Sequence, residues 1–199
     1  ARTHPNDIGA VLDISQKTGV AIEICAFIGS SPIRQLVERW DIEKMSGLVR
    51  DAVKLSVDNG CPLTFVTEDT IRAHPTTLRQ LFWTAIEHGA DRLVLTDTVG
   101  HATPDGLQNL LQFTRSLLRS WGAEHVKIDW HGHNDRGLAL ALNLFALEHG
   151  VDRVHGTCIG VGERVGNGSI DQLLINLKLL GVIDRDLTPL RGYVHKVST

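Results

Sequence analysis

The phrases EHGADRLVLTDT (residues 87–98) and EHGVDRVHGTCI (148–159) are two versions of one pattern. Each runs the end of a helix into a glycine, an aspartate-containing turn with arginine, and then a short strand. Glycine just past a helical run accepts the left-handed backbone that stops the helix. Recurrence of the pattern marks repeated βα units, so a parallel sheet or a (β/α) barrel is favoured.

Outward from these phrases, strands are predicted at AIEICAFI (21–28), PLTFVT (62–67), DRLVLT (91–96), HVKIDWH (125–131) and DRVHGTCI (152–159). Amphipathic spacing predicts helices over about 42–59, 75–88, 104–120, 137–149 and 169–180. Thr103 before Pro104 reads as an N-cap, and Gly60, Gly89, Gly122, Gly150 and Gly181 each follow a helical run.

With 199 residues, 42% of them hydrophobic, the chain is long enough for one domain with a sizeable core. A net charge of −3 supplies no basic field, so nucleic acid is not an expected partner. No apolar run approaches the roughly 18 residues that span a bilayer, and the first residues hold no signal-like segment. No membrane partner is expected, and the expected compartment is the cytoplasm. Cys25, Cys61 and Cys158 are widely spaced and odd in number, which predicts reduced core thiols rather than a disulfide framework.

Ligands of parallel sheets gather at the carboxyl ends of strands. The polar residues cluster there: Ser30 and Ser31, Glu68 and Asp69, Asp97 and Thr98, His131 to Asp135, and Thr157 to Asn167. His131 and His133 are two apart and project to one side of a strand, as chelation of a single ion requires; the bland alternative is hydrogen bonding to loops. Asn134 and Asp135 offer oxygen acceptors for the second ring nitrogens. Nitrogen ligands with oxygen donors suit zinc, manganese, cobalt or iron in an open catalytic site.

The glycine-rich GVGERVGNGS (160–169) allows close backbone approach to a ligand, or is simply a tight turn. Within it Glu163 and Arg164 form a weak surface pair or orient the loop, and Asn167 offers a metal-directed carbonyl or a helix cap. In TEDTIR (67–72) Glu68 is a candidate general acid or base, while Asp69 reads as a cap. Turn chemistry explains most of TDTVGHATP (96–104), although not Thr98. Period two places Lys127 and Asp129 on the side of His131, and Thr64 and Val66 with Glu68. Glu23, Cys25 and His155 are candidates for the same interior. Lys127 is then expected to pair with Asp129 or Glu23, since an interior charge is costly alone.

FIGSSPIR (27–34), TEDTIRAHP (67–75), DTVGHATP (97–104), HGHNDRGLALA (131–141) and GTCIGVGERVGNGS (156–169), in that order, resemble the metal-dependent barrel acyltransferases. That group includes isopropylmalate, homocitrate and citramalate synthases and hydroxymethylglutaryl-CoA lyase. The resemblance implies a (β/α)8 TIM barrel, here lacking its first two to three strands, with Arg2 a remnant of the third. It implies a partial barrel over 1–185 and the start of a linker over 186–199. The absent first strand carries the family's metal-binding aspartate and a substrate-binding arginine, so the chain alone is expected to bind metal weakly or not at all.

By resemblance, His131, His133 and Asn167 hold a divalent metal (Zn, Mn, Mg or Co), and Glu68 and Thr98 carry the chemistry. Ser31, Arg34, Glu163 and Arg164 contact substrate or shape the loop over it. The implied reaction condenses acetyl-CoA with a 2-oxo acid and hydrolyses the thioester, as in 2-isopropylmalate synthase, in a homodimer. GVGER resembles the synthase branch, since the lyases carry a cysteine-bearing loop there. Homocitrate or citramalate synthase, a lyase or aldolase of the same group, and a non-catalytic fragment are the alternatives. Arg34 in place of histidine, Val66-Thr67 in place of Ser-Pro, Arg136 in place of leucine and His155 in place of glutamate leave the 2-oxo acid open.

Overall fold

The computed structural model describes residues 1–199. Five strands, β1 (Ile24–Gly29), β2 (Leu63–Glu68), β3 (Arg92–Asp97), β4 (Lys127–Gly132) and β5 (Arg153–Val154), form one sheet in the order β1-β2-β3-β4-β5. The first three pair in parallel, with Ile24 opposite Leu63 and Thr64 opposite Arg92. The order never reverses, which is the winding of a barrel rather than of a doubly wound sheet. β5 is far shorter than the run 152–159 predicts: after Val154 only Thr157 bridges, to Ser169, before a 3-10 turn at Cys158–Gly160 with left-handed Ile159.

The predicted helices are present as α3 (Ile42–Val57), α4 (Pro75–Glu87), α5 (Pro104–Ser120), α6 (Ala139–Glu148) and α7 (Ile170–Leu179). Thr103 caps α5 by accepting the N–H of Gly106 at 3.1 Å. Three further helices, α1 (Pro5–Thr18), α2 (Pro32–Glu38) and α8 (Leu190–Ser198), escape the sequence pattern. α1 buries only Ile8, Leu12 and Ser15, and α2 and α8 bury no residue fully, so none shows a wide apolar stripe. No helix is long and apolar enough to cross a membrane. None of the three cysteines forms a disulfide, and only Cys61 is buried; Cys25 is exposed, because it faces away from the helices packed on β1.

The chain divides into two compact units. The first, Ala1–Thr96 with Gln112–Asp129, packs Ile24, Ala26, Ile28, Leu63, Phe65, Leu93 and Leu95 into a core with Met45, Val49 and Val53 of α3 and Leu81 and Phe82 of α4. Strand alternation sends Thr64, Val66 and Glu68 to the opposite face. There Arg92 Nη1 lies 2.5 Å from the wholly buried Asp129, and its Nε lies 3.8 Å from Glu23, to which the Thr64 hydroxyl also donates. Lys127, expected in this role, is exposed at the first position of β4. A planar guanidinium serves two carboxylates at once, as Arg92 does here.

The second unit, Asp97–Leu111 with Trp130–Thr199, is built on Trp130, Leu107, Ala139, Leu142, Ala146 and Leu173, all buried. Within it α6 packs on α7, and α8 packs on the 3-10 turn at 158–160.

Replacing Arg92 by Met removes the cation 2.5 Å from the buried Asp129, and is expected to cost about 3–5 kcal/mol in denaturant unfolding. Lys127→Met is expected to cost less than about 0.5 kcal/mol. Equal losses would show that Lys127 shares the pairing.

Candidate metal centre

At the end of β4 the imidazoles of His131 and His133 meet with Nε2 atoms 3.4 Å apart and ring planes at 79°. Two nitrogens each about 2.05 Å from a tetrahedral ion stand about 3.3 Å apart, so the spacing matches one edge of such a coordination shell. Burial, then the neighbouring His155 and His133, pushes the His131 pKa down to about 4. His131 is therefore neutral at pH 7, the state in which a ring nitrogen offers a lone pair. The pair supplies two donors; no group of three histidine, cysteine or carboxylate side chains converges to complete a shell.

The backbone fixes the pair from two sides. His133 N–H donates to the Asp97 carbonyl at 3.1 Å, and His133 bridges Asn167 in antiparallel fashion. Asp97 is wholly buried, and its carboxylate accepts the N–H groups of His101 and Ala102 at 2.9 and 3.0 Å. The turn reading of this segment therefore holds for Asp97.

Asn134 and Asp135 do not serve the histidines as expected. Asn134 Oδ1 accepts the N–H of Ala139 at the start of α6, and Asp135 binds Arg164 through Nε and Nη2 at 2.6 and 2.8 Å. A bidentate guanidinium outcompetes a neutral imidazole for a carboxylate. Arg164 holds the Asp135 carboxyl below its usual range, chiefly through these hydrogen bonds. The same guanidinium reaches the Thr98 carbonyl at 2.8 Å, so Thr98, Asp135 and the GVGER loop are tied together. His133 Nδ1 stays buried without a hydrogen-bond partner.

Glu163 is exposed, 3.6 Å from Arg164, and Arg164 itself sits at φ 57°. Asn167 is 7% exposed and presses against the loop: a Cβ on Gly162 would lie 1.9 Å from its Oδ1. A side chain there would have to push Asn167 aside. Asn167 is not the N-cap of α7, a position held by Ser169.

Ser31, Arg34, Glu68 and Asp69 lie in the first unit. Arg34 stands between Glu38, at 3.1 Å, and Glu68, at 3.6 Å. Ser31 is wholly buried and caps α2 by accepting the N–H of Arg34 at 3.4 Å. Asp69 makes no cap bond; at φ 65° it forms a bidentate pair with Arg72 at 2.7 and 2.6 Å. His155, placed in the interior only by strand parity, turns its ring edge to His131 at a centroid distance of 5.5 Å.

Residues 1–192 match the HMGL-like family. The chain belongs to that family. It is 37% identical over 156 residues to the 2-isopropylmalate synthase of Heliobacterium modesticaldum, covering 77% of this chain and 30% of that protein. It is 30% identical over 185 residues to the homocitrate synthase of Methanothermobacter thermautotrophicus, covering 92% and 44%. The chain thus spans less than half the length of these curated relatives. Among solved structures, the HMG-CoA lyase of Brucella melitensis superposes with a TM-score of 0.74 at 17% identity, over 94% of this chain and 69% of that one. That likeness supports the barrel fold.

In the metal-free protein, protonating His131 opposes folding, because its folded pKa lies below the ordinary 6.5. Stability is expected to be full above about pH 6.5 and to fall as pH drops toward about 4, by at most about 3 kcal/mol, measured by denaturant unfolding at several pH values. A flat profile would show His131 to be solvated. Separately, Gly162→Ala is expected to displace Asn167, read as shifted amide resonances at 160–168 with the first unit unchanged.

Proposed function

We propose that this chain carries part of the catalytic site of an acetyl-CoA-dependent synthase of the 2-isopropylmalate type, which joins acetyl-CoA to a 2-oxo acid and hydrolyses the thioester. The observation that supports this most is the His131–His133 pair, at a spacing suited to one ion, beside the Asn167 and GVGER loop in a member of this family. His131, His133 and Asn167 would hold a divalent ion, which would polarise the ketone and stabilise charge developing on its oxygen.

The chain's own groups do the rest. Glu68, 3.6 Å from Arg34, takes a proton from the acetyl methyl group. The resulting enolate carbon bonds to the ketone carbon, whose oxygen gains a proton. The Thr98 hydroxyl donates to the 2-oxo acid carboxylate. Arg164, through Asp135 and the Thr98 carbonyl, keeps the loop in place and limits the access of water until hydrolysis. Water then adds at the thioester carbon, the C–S bond breaks, and CoA leaves as the free thiol.

The test is release of free CoA, followed with a thiol reagent, when the intact protein is given acetyl-CoA and a divalent ion with 2-oxoisovalerate, 2-oxoglutarate or pyruvate. CoA release that depends on a 2-oxo acid is expected, with 2-oxoisovalerate the preferred partner. His131→Ala and His133→Ala should each lower it more than a hundredfold, and Arg164→Ala roughly tenfold or more. No release with any 2-oxo acid rejects the reading.

A further inference from the structure

Thr67, Thr70 and Thr96 are buried together where β2 and β3 end. The register sets Thr67 opposite Leu95, so in a parallel ladder the N–H that faces the Thr67 carbonyl is that of Thr96. Thr70 Oγ1 bridges these two groups, accepting the Thr96 N–H at 2.8 Å and donating to the Thr67 carbonyl at 2.5 Å. The Thr96 hydroxyl donates to the same carbonyl at 2.7 Å, and the Thr67 hydroxyl lies 2.7 Å from Thr70 Oγ1. The next carbonyl, that of Glu68, also receives two donors, the Ser30 N–H at 2.9 Å and the Ser30 hydroxyl at 2.8 Å. Both carbonyls that flank the Glu68 α-carbon are thus held twice, which fixes the direction in which its side chain leaves the strand. Buried hydroxyls carry a desolvation cost that valine at the same positions would not, and placement of the backbone is what these return.

We propose that Thr70 and Thr96 are positioning residues that aim the Glu68 carboxylate for proton removal. The inference rests on the synthase reading, in which Glu68 is the base. A base has to stand within hydrogen-bond reach of the proton it takes, so a displacement of about 1 Å costs up to about a hundredfold in rate. Both hydroxyls act through the Thr67 carbonyl rather than on substrate. Valine matches threonine in shape without the hydroxyl, whereas serine keeps the hydroxyl.

The test measures kcat and KM for CoA release by the full chain with a divalent ion and a 2-oxo acid, together with the carbon-13 resonance of the Glu68 carboxyl group. Thr70→Val and Thr96→Val are each expected to lower kcat about tenfold or more, to leave KM for the 2-oxo acid within about twofold, and to shift the Glu68 resonance. Thr70→Ser should restore both readings. Thr84→Val, which removes a hydroxyl bonded at 2.9 Å to the Gln80 carbonyl within α4, should move neither. If Thr70→Val does not fold, Thr96→Val against Thr96→Ser makes the same comparison. An unchanged kcat, a kcat loss with the Glu68 resonance unmoved, an equal loss in Thr84→Val, or no rescue by serine overturns the proposal. No CoA release from the unaltered chain sinks the synthase reading instead. The Glu68 resonance then still decides whether the hydroxyls place that side chain: a shift confined to the valine variants at 70 and 96 supports it, and no shift rejects it.

Discussion

Asp97 at the end of β3 is the constraint on which the candidate site depends. Its carboxylate is wholly buried and accepts the N–H groups of His101 and Ala102, while its carbonyl accepts the N–H of His133. A carboxylate removed from water needs such donors, and here it takes them from the turn that leads into α5. One residue thereby fixes both the loop after β3 and the backbone of the second histidine. His133, just past β4, is held by main-chain bonds before any ion is considered, which is the preorganisation a binding site needs.

Charge is managed locally in each unit. In the first, Arg92 neutralises Asp129 and approaches Glu23, so the carboxylates on that face of the sheet share a cation. In the second, Arg164 joins Asp135 to the Thr98 carbonyl and carries the GVGER loop with it. Both arrangements use the forked geometry of arginine, which answers two acceptors at once. Beside them, burial and then the neighbouring His155 and His133 push the His131 pKa down.

Much of the fold was legible because it rests on short-range signals. Glycines with positive φ stand past five helices, at Gly60, Gly89, Gly122, Gly150 and Gly181, and the histidine pair is visible from spacing alone. α1, α2 and α8 were not legible, because they bury little and leave no apolar period to read. The sequence pairs Lys127 with Asp129 or Glu23, but gives no sign that Arg92, on the next strand, reaches both carboxylates. Asp135 was matched to the histidines beside it, although Arg164, 29 positions later, binds it.

The sequence by itself determined the βα rhythm, the strand ends where polar residues gather, and the chemical kind of the candidate ligands, since each depends on residues within a few positions of one another. Only the tertiary structure decided which charge answers which: Arg92 with Asp129, Arg164 with Asp135, and His155 against His131. Those choices turn on distances across neighbouring strands and loops, and a side chain's best partner is whichever donor the fold brings within about 3 Å, not the one nearest in the chain.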